Sequence, residues 1–315
     1  MIFRYTEAPS MPSLLYEKML RFAKVKESQS SSKPNFHVRD YSKGLTSPAP
    51  PDHLRLRIDI SRFEIEGSAI YQLTPKSGKG AGKDSQTILF FHGGSYVVNA
   101  TRPHWRFLAG LVERSGFTVI APDYPLAPEH SYADAYTMIT KLYRGLAEEI
   151  PSRDIVLMGD SAGGGLALGF SMLIRDEKMP QPSTVVMLSP WLDVTMSNHY
   201  MEDIDSEDPF LNIEALRKAG FSWAHGANPR KPLISPIYGD FSGLPPLHVF
   251  TGTKDVLAAD CRRLRGLCMA AHAKLAYYEF ENMVHDWMLL NFKEAKMAAS
   301  QIAAIVSGYS ACSIA

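Results

Sequence analysis

Apolar residues in the first part of the chain recur at two different periods. Met11, Leu15, Met19, Phe22 and Val25 fall three and four residues apart, which predicts an amphipathic helix over 11–26. Residues 27–51, rich in Ser, Pro and Lys, read as a loop. Leu54, Leu56, Ile58 and Ile60 then alternate with polar neighbours, the period of a half-buried strand, and 65–73 offers a second strand broken by Gly67. The run 76–83, with three glycines and three lysines, reads as an exposed turn, and Gly78, Gly80 and Gly82 do not match a dinucleotide fingerprint. Further along, short continuous apolar runs (87–91, 117–121, 154–158, 184–189, 247–251 and 275–280) are mostly separated by helix-length segments near 103–115, 132–148, 162–177 and 255–271, with a last one near 293–307. Strands apolar on both sides belong in a parallel sheet covered by helices on both faces, and the two leading alternating strands suggest an antiparallel edge. The interval 190–245 is too long for a simple crossover. An insertion there, at about 193–232, together with the N-terminal helix, predicts a small helical cap over the strand ends. The expected division is residues 1–50 as cap helix and loop and 51–315 as the α/β domain.

Composition narrows the classes. With 315 residues, 45% hydrophobic, the chain can bury one sizeable α/β core. Positive and negative side chains balance at 33 each, so no electrostatic footprint points to nucleic acid or an anionic membrane; the balance suits an uncharged small molecule. Cys261, Cys268 and Cys312 show no metal spacing, and a sparse, odd count suggests reduced thiols in the cytoplasm. Cys261 and Cys268 stand about two helical turns apart, too far for a disulfide within one helix. Arg4, Glu7, Glu17 and Lys18 leave no apolar run for a signal peptide, and no stretch approaches the ~18 apolar residues of a membrane span. None of the ten histidines has ligand spacing such as HxxxH, so no metal or cofactor is expected.

The chemistry is carried by two motifs that each follow a predicted strand. Gly159-Asp160-Ser161-Ala162-Gly163 is a G-x-S-x-G match between the strand 154–158 and a helix, the context of a nucleophile elbow. A sharp turn lifts the serine hydroxyl out of the sheet edge, and its neighbours must be small to allow it. His92-Gly93-Gly94-Ser95-Tyr96 follows the strand 87–91, where main-chain amides can form an oxyanion hole. In an α/β-hydrolase fold an acid and then a histidine follow the serine at later strand ends, which selects Asp255 and His285 over Asp260, His248, His272 and Asp286.

With these residues the chain resembles the hormone-sensitive lipase family of α/β-hydrolases. The likeness spans about 85–290 and also includes the block Asp123 to His130, Gly164, the run Ser189-Pro190-Trp191-Leu192-Asp193, and Asp255-Val256-Leu257. The resemblance implies cofactor-free hydrolysis of short or medium acyl esters, a mobile cap, and oxyanion donors on Gly94, Ser95 and Ala162 with Gly93 shaping the loop. Tyr96, Trp191, Phe210 and Trp287, with Leu14 or Leu15, are the candidate substrate contacts. Asp123, Glu129, His130, Asp193 and Asp160 read as structural. Ser95 stands where a third glycine is usual, Pro125 where an arginine is usual, and Asp286-Trp287 where a small residue and an aromatic are commoner. An amidase or peptidase would use the same triad. Plant gibberellin receptors resemble the family but lack the histidine that His285 supplies here. A homodimer is possible on family grounds.

Overall fold

The computed structural model describes residues 1–29, 46–76 and 86–308. Most of the predicted 27–51 loop, most of the 76–83 turn, and Cys312 fall outside the described residues. Among the described residues the strands are β1 (Ile2–Tyr5), β2 (Ile58–Ile65), β3 (Ser68–Pro75), β4 (Thr87–Phe91), β5 (Thr118–Pro122), β6 (Ile155–Asp160), β7 (Thr184–Leu188), β8 (Leu247–Lys254) and β9 (Leu275–Val284). They form one sheet in the order β1-β9-β8-β7-β6-β4-β5-β3-β2. β1 and β4 to β9 run parallel, while β3 and β2 add an antiparallel edge beside β5. The helices are α1 (Met11–Phe22), α2 (Val25–Gln29), α3 (Arg102–Ser115), α4 (Tyr132–Glu149), α5 (Ala162–Asp176), α6 (Tyr200–Asp205), α7 (Ile213–Ala224), α8 (Ala258–Ala270) and α9 (Lys293–Val306).

The continuous apolar runs are explained by burial on both sides. Leu89, Phe91, Leu157, Val185 and Met187 pack with α4, α5 and α8, whereas Ile88, Phe90, Val156, Met158, Val186 and Leu188 pack with α3 and α9. Successive side chains point to opposite faces, so a strand buried on both needs no polar alternation.

Four local readings change. Leu54 and Leu56 are not strand residues: Asp52–Leu56 is a 3₁₀ turn, with Leu54 buried and Leu56 84% exposed. At three residues per turn, positions two apart do not share a face. Gly67 does not break a strand; Glu66 (φ 50°) and Gly67 (φ 75°) are the two-residue loop of the β2–β3 hairpin. The first residues join the sheet instead of the cap, because β1 pairs in parallel with β9 from Ile2↔Tyr277 to Tyr5↔Phe280. Finally, the predicted apolar stripe of α1 faces solvent. Met11, Leu15, Met19 and Phe22 are exposed, Phe22 at 92%, while Ser13 and Leu20 are buried.

Polar pins account for that orientation of α1. Ser10 donates its N–H and its Oγ–H to the buried Glu294 carboxylate at 2.6 and 2.7 Å. Lys254 Nζ reaches Glu17 at 2.9 Å, Arg21 donates to the Glu207 carbonyl at 2.7 Å, and Lys26 meets the Asp205 carboxylate at 2.8 Å. Bonds of this kind, with one partner charged, are shorter and stronger than neutral ones and fix the rotation of the helix. They bring α1 and α2 against the 205–212 segment, above the carboxyl ends of the strands.

Candidate active site

Ser161 lies between β6 and α5 with φ 51° and ψ −120°, a conformation that costs a serine on the order of 1–3 kcal/mol. Two main-chain bonds hold it there: Ser161 N–H donates to the Leu188 carbonyl, and Trp191 N–H donates to the Ser161 carbonyl, both at 2.8 Å. The close crossing of α5 over β4 requires glycine, since a Cβ at Gly163 would stand 2.0 Å from the Phe91 carbonyl oxygen.

Asp255 and His285 follow adjacent parallel strands. Lys254 of β8 pairs with Val284 of β9, so the next residue of each emerges at the same sheet edge. His285 Nδ1 is 2.9 Å from Asp255 Oδ2, and His285 Nε2 is 2.9 Å from Ser161 Oγ. An ionised carboxylate only accepts, so the Nδ1 proton points to Asp255 and the Nε2 lone pair faces the serine hydroxyl in the neutral ring. Asp255 Oδ1 accepts from Leu257 N–H at 2.9 Å, which fixes the carboxylate plane. Phe210 stacks on the His285 ring, with centroids 5.9 Å apart. Burial opposes charging of His285, but the neighbouring carboxylates of Asp286 and Asp255 outweigh it and hold the ring's pKa well above the usual imidazole value.

The 92–96 loop faces the serine from β4. Gly94 has φ 119°, and a Cβ there would come within 2.3 Å of the Val98 carbonyl oxygen. Among the described residues the amides of Gly94, Ser95 and Ala162 have no protein acceptor. Gly93 differs: its N–H donates to Asp160 Oδ1 at 3.0 Å, so this amide holds the loop and is not free to bind an oxyanion. The other Asp160 oxygen takes His104 Nε2–H at 3.0 Å, while His104 Nδ1 accepts from Thr101 N–H at 3.0 Å. Asp160 therefore turns away from substrate into a buried network. His92 stays neutral, pushed down to about 4 by burial and the neighbouring His104, and stacks on Tyr124 at 4.5 Å.

A cavity of about 200 Å³ opens on Ser161 and His285; Tyr16, Gln29, Ser95, Phe210, Asp286 and Leu289 are among its walls. Of the four sequence-chosen substrate contacts, the structure brings only Phe210 there. Tyr96, Trp191 and Trp287 are at most 1% exposed and do not line it. Tyr96 stacks between Trp223 (4.2 Å) and Trp191 (5.5 Å), and Trp287 packs on Phe280 at 4.4 Å. These large rings bury more surface in the core than a small cavity could offer. From the N-terminal helix, Tyr16 enters the cavity instead of Leu14 or Leu15. Asp193 is structural in the sense expected, accepting from Thr195, Ser197 and Tyr238 while buried. A separate cleft of about 760 Å³ beside Arg230 and Arg263 shares no lining residue with the Ser161 cavity.

Sequence reading missed Asp208. Its Oδ1 accepts from the amides of Phe210 (2.7 Å) and Leu211 (2.9 Å), and its Oδ2 from Val256 N–H at 2.9 Å. It thus ties the cap segment to the loop that carries Asp255, and burial with the nearby Asp255 charge pushes it up to about 6. Tyr16, Gln29 and His104 were also missed, since no motif marks them. Among the described residues, no group of three or more His, Cys, Asp or Glu side chains could hold a metal ion. No helix of the described residues is long and apolar enough to cross a membrane.

A fold built this way, with a strained serine at a strand–helix elbow, is that of an α/β hydrolase. A family model for the alpha/beta hydrolase fold matches residues 88–289, and the chain belongs to that family. It is 34% identical over 224 residues to an esterase of Acinetobacter venetianus, covering 70% of this chain and 74% of that one. Identity to an acetyl-hydrolase of Streptomyces hygroscopicus is 33% over 208 residues, 66% of this chain and 70% of the other. The crystal structure of an esterase from the bacterial hormone-sensitive lipase family superposes with a TM-score of 0.80 at 28% identity, covering 96% of this chain and 99% of that one.

Proposed function

We propose that this protein is a serine carboxylesterase that hydrolyses short- to medium-chain acyl esters through an acyl-enzyme on Ser161. The observation that carries the reading is the continuous contact from Ser161 Oγ to His285 Nε2 and from Nδ1 to Asp255, each 2.9 Å. In this mechanism His285 takes the hydroxyl proton as Oγ attacks the ester carbonyl. Asp255 holds the ring tautomer and stabilises the imidazolium. The amides of Gly94, Ser95 and Ala162 receive the oxyanion, each such donor contributing about 3–4 kcal/mol to the transition state. His285 then protonates the leaving alcohol, and water repeats the sequence on the acyl-enzyme. The cavity of about 200 Å³ is below the usual range of ligand pockets and favours small acyl groups. The relatives named esterase and acetyl-hydrolase support the ester as substrate class.

A panel of p-nitrophenyl esters from acetate to palmitate, run beside an anilide, tests this. Turnover should peak at short to medium chains and be far slower on the anilide. Ser161→Ala should lose on the order of 10⁴-fold or more in kcat while keeping the fold. Undiminished turnover by that variant would sink the proposal.

A further inference from the structure

Asp255 is one of two carboxylates on the same imidazole. Asp286 Oδ2 lies 3.1 Å from His285 Nε2, the nitrogen that Ser161 Oγ approaches at 2.9 Å. Resting on the triad reading above, we infer that Asp286 is a positioning residue that competes with Ser161 for the Nε2 proton of His285 and so sets the pH range in which the enzyme turns over.

The backbone fixes this placement. Asp286 has φ 52° and opens the 3₁₀ turn Trp287–Leu289, its N–H donates to Ser189 Oγ at 3.3 Å, and its carbonyl accepts from Leu289 N–H at 3.0 Å. Its Oδ1 is buried without a hydrogen-bond partner, and its side chain lines the cavity with Ser161 and His285. Among the described residues the Nε2 edge of the ring is therefore the direct charged contact of this carboxylate, with His104 acting on it from farther off.

An ionised carboxylate has no proton to give, so the contact is attractive only while Nε2 carries one. Two states follow, one proton apart. In the first, the imidazolium sits between Asp255 on Nδ1 and Asp286 on Nε2, and Ser161 cannot pass on its proton. In the second, that proton has left to solvent, the Nε2 lone pair accepts from Ser161, and catalysis can start. Other charged or titratable groups near the ring are few. Asp208 lies behind Asp255, and Asp160 with His104 lies on the Asp286 side. Tyr16 and Gln29 of the cap, and the Phe210 ring, carry no charge near neutrality. Burial and the nearby Asp160 push Asp286 up to about 6, against the pull of His285, while the two carboxylates hold His285 well above its ordinary value. Both directions fit a shared proton that leaves late as pH rises.

The test is the pH profile of kcat/KM on p-nitrophenyl butyrate, corrected for spontaneous hydrolysis, for the wild type, Asp286→Asn and Asp286→Gly. Asn and Gly both tolerate a positive φ, so the backbone need not change. The acid limb of kcat/KM reports the free enzyme's base. The wild-type limb should lie above the free imidazole value of about 6.5, and both variants should move it down by about one pH unit or more. Coincident limbs would overturn the inference. If neither variant folds, the wild type alone decides through the pH dependence of fluorophosphonate labelling, and a limb at or below about 6.5 overturns it. Labelling of Ser161 with an unshifted profile removes only the role of Asp286. Absence of both labelling and turnover in the wild type removes the triad reading as well.

Discussion

Asp160 is the residue through which the 92–96 loop, the proposed oxyanion loop, is built into the core, and its replacement by alanine gives a calculable loss. The side chain is fully buried, and each oxygen has one donor at 3.0 Å, Gly93 N–H on Oδ1 and His104 Nε2–H on Oδ2. Burial alone would push this carboxyl up, but His104 and the Gly93 amide hold it below the usual carboxylate range, so it is ionised at neutral pH. Asp160→Ala strands two buried donors at about 1–3 kcal/mol each, and removing one partner of a buried pair costs about 3–5 kcal/mol, so the expected loss is about 3–5 kcal/mol. Asp160→Asn gives little relief, because its amide presents an N–H to one of two N–H donors. Freed from Asp160, Gly93 no longer sets the pitch of Gly94 and Ser95, and misplacing one oxyanion donor lowers kcat about 10²–10³-fold. Urea unfolding gives the first quantity; kcat and KM on p-nitrophenyl butyrate, well below the melting range, give the second. The expected pattern is a lower midpoint together with a fall in kcat larger than any change in KM. A variant with the wild-type midpoint and wild-type kcat would refute the reasoning.

Three further outcomes are expected. Gly163→Ala places a methyl 2.0 Å from the Phe91 carbonyl oxygen, a main-chain atom that cannot swing aside, so calorimetry should show a loss of about 3 kcal/mol or no folded protein; an unchanged melting temperature would contradict the close crossing. Phe22→Ser should change the unfolding free energy from urea titration by less than about 0.5 kcal/mol because the ring is 92% exposed, whereas a loss of 3 kcal/mol or more would mean that the face is packed in solution. Gln29 joins the Phe210 carbonyl (2.8 Å) to the Asn212 amide (3.3 Å) at the cavity wall, so Gln29→Ala should raise KM severalfold with kcat retained; an unchanged KM would count against the N-terminal segment as part of the cap.

The parallel core was legible because a strand buried on both faces has no option but to be apolar throughout. The run Thr87–Phe91 has the same bounds in sequence and structure, and the neighbouring runs differ by a few residues at their ends. Periodicity failed where a different contact set the orientation. The stripe Met11, Leu15, Met19 and Phe22 is a good helical face, yet the helix is placed by Ser10 on Glu294, nearly three hundred residues away in the chain. β1 escaped notice because a four-residue edge strand is too short for its alternation to stand out.

The site divides along a similar line. Ser161, Asp255 and His285 could be singled out because each follows a strand, and parallel strands deliver their next residues to one edge. Asp208 follows no strand and sits in no motif; only folding of the cap segment brings its oxygens to the amide of Val256. Tyr96 and Trp191 were misplaced for the opposite reason. As apolar groups expected near the cap they read as substrate contacts, but both rings are buried in the core and neither lines the cavity. Tyr96, with φ 63°, stacks on Trp223. Asp286 has a similarly positive φ of 52°, yet there the turn brings the carboxylate back onto His285 Nε2. The sign of φ alone does not tell which neighbours turn inward, so the surroundings of the site have to be read from coordinates even when the proposed nucleophile, Ser161, can be singled out from the chain.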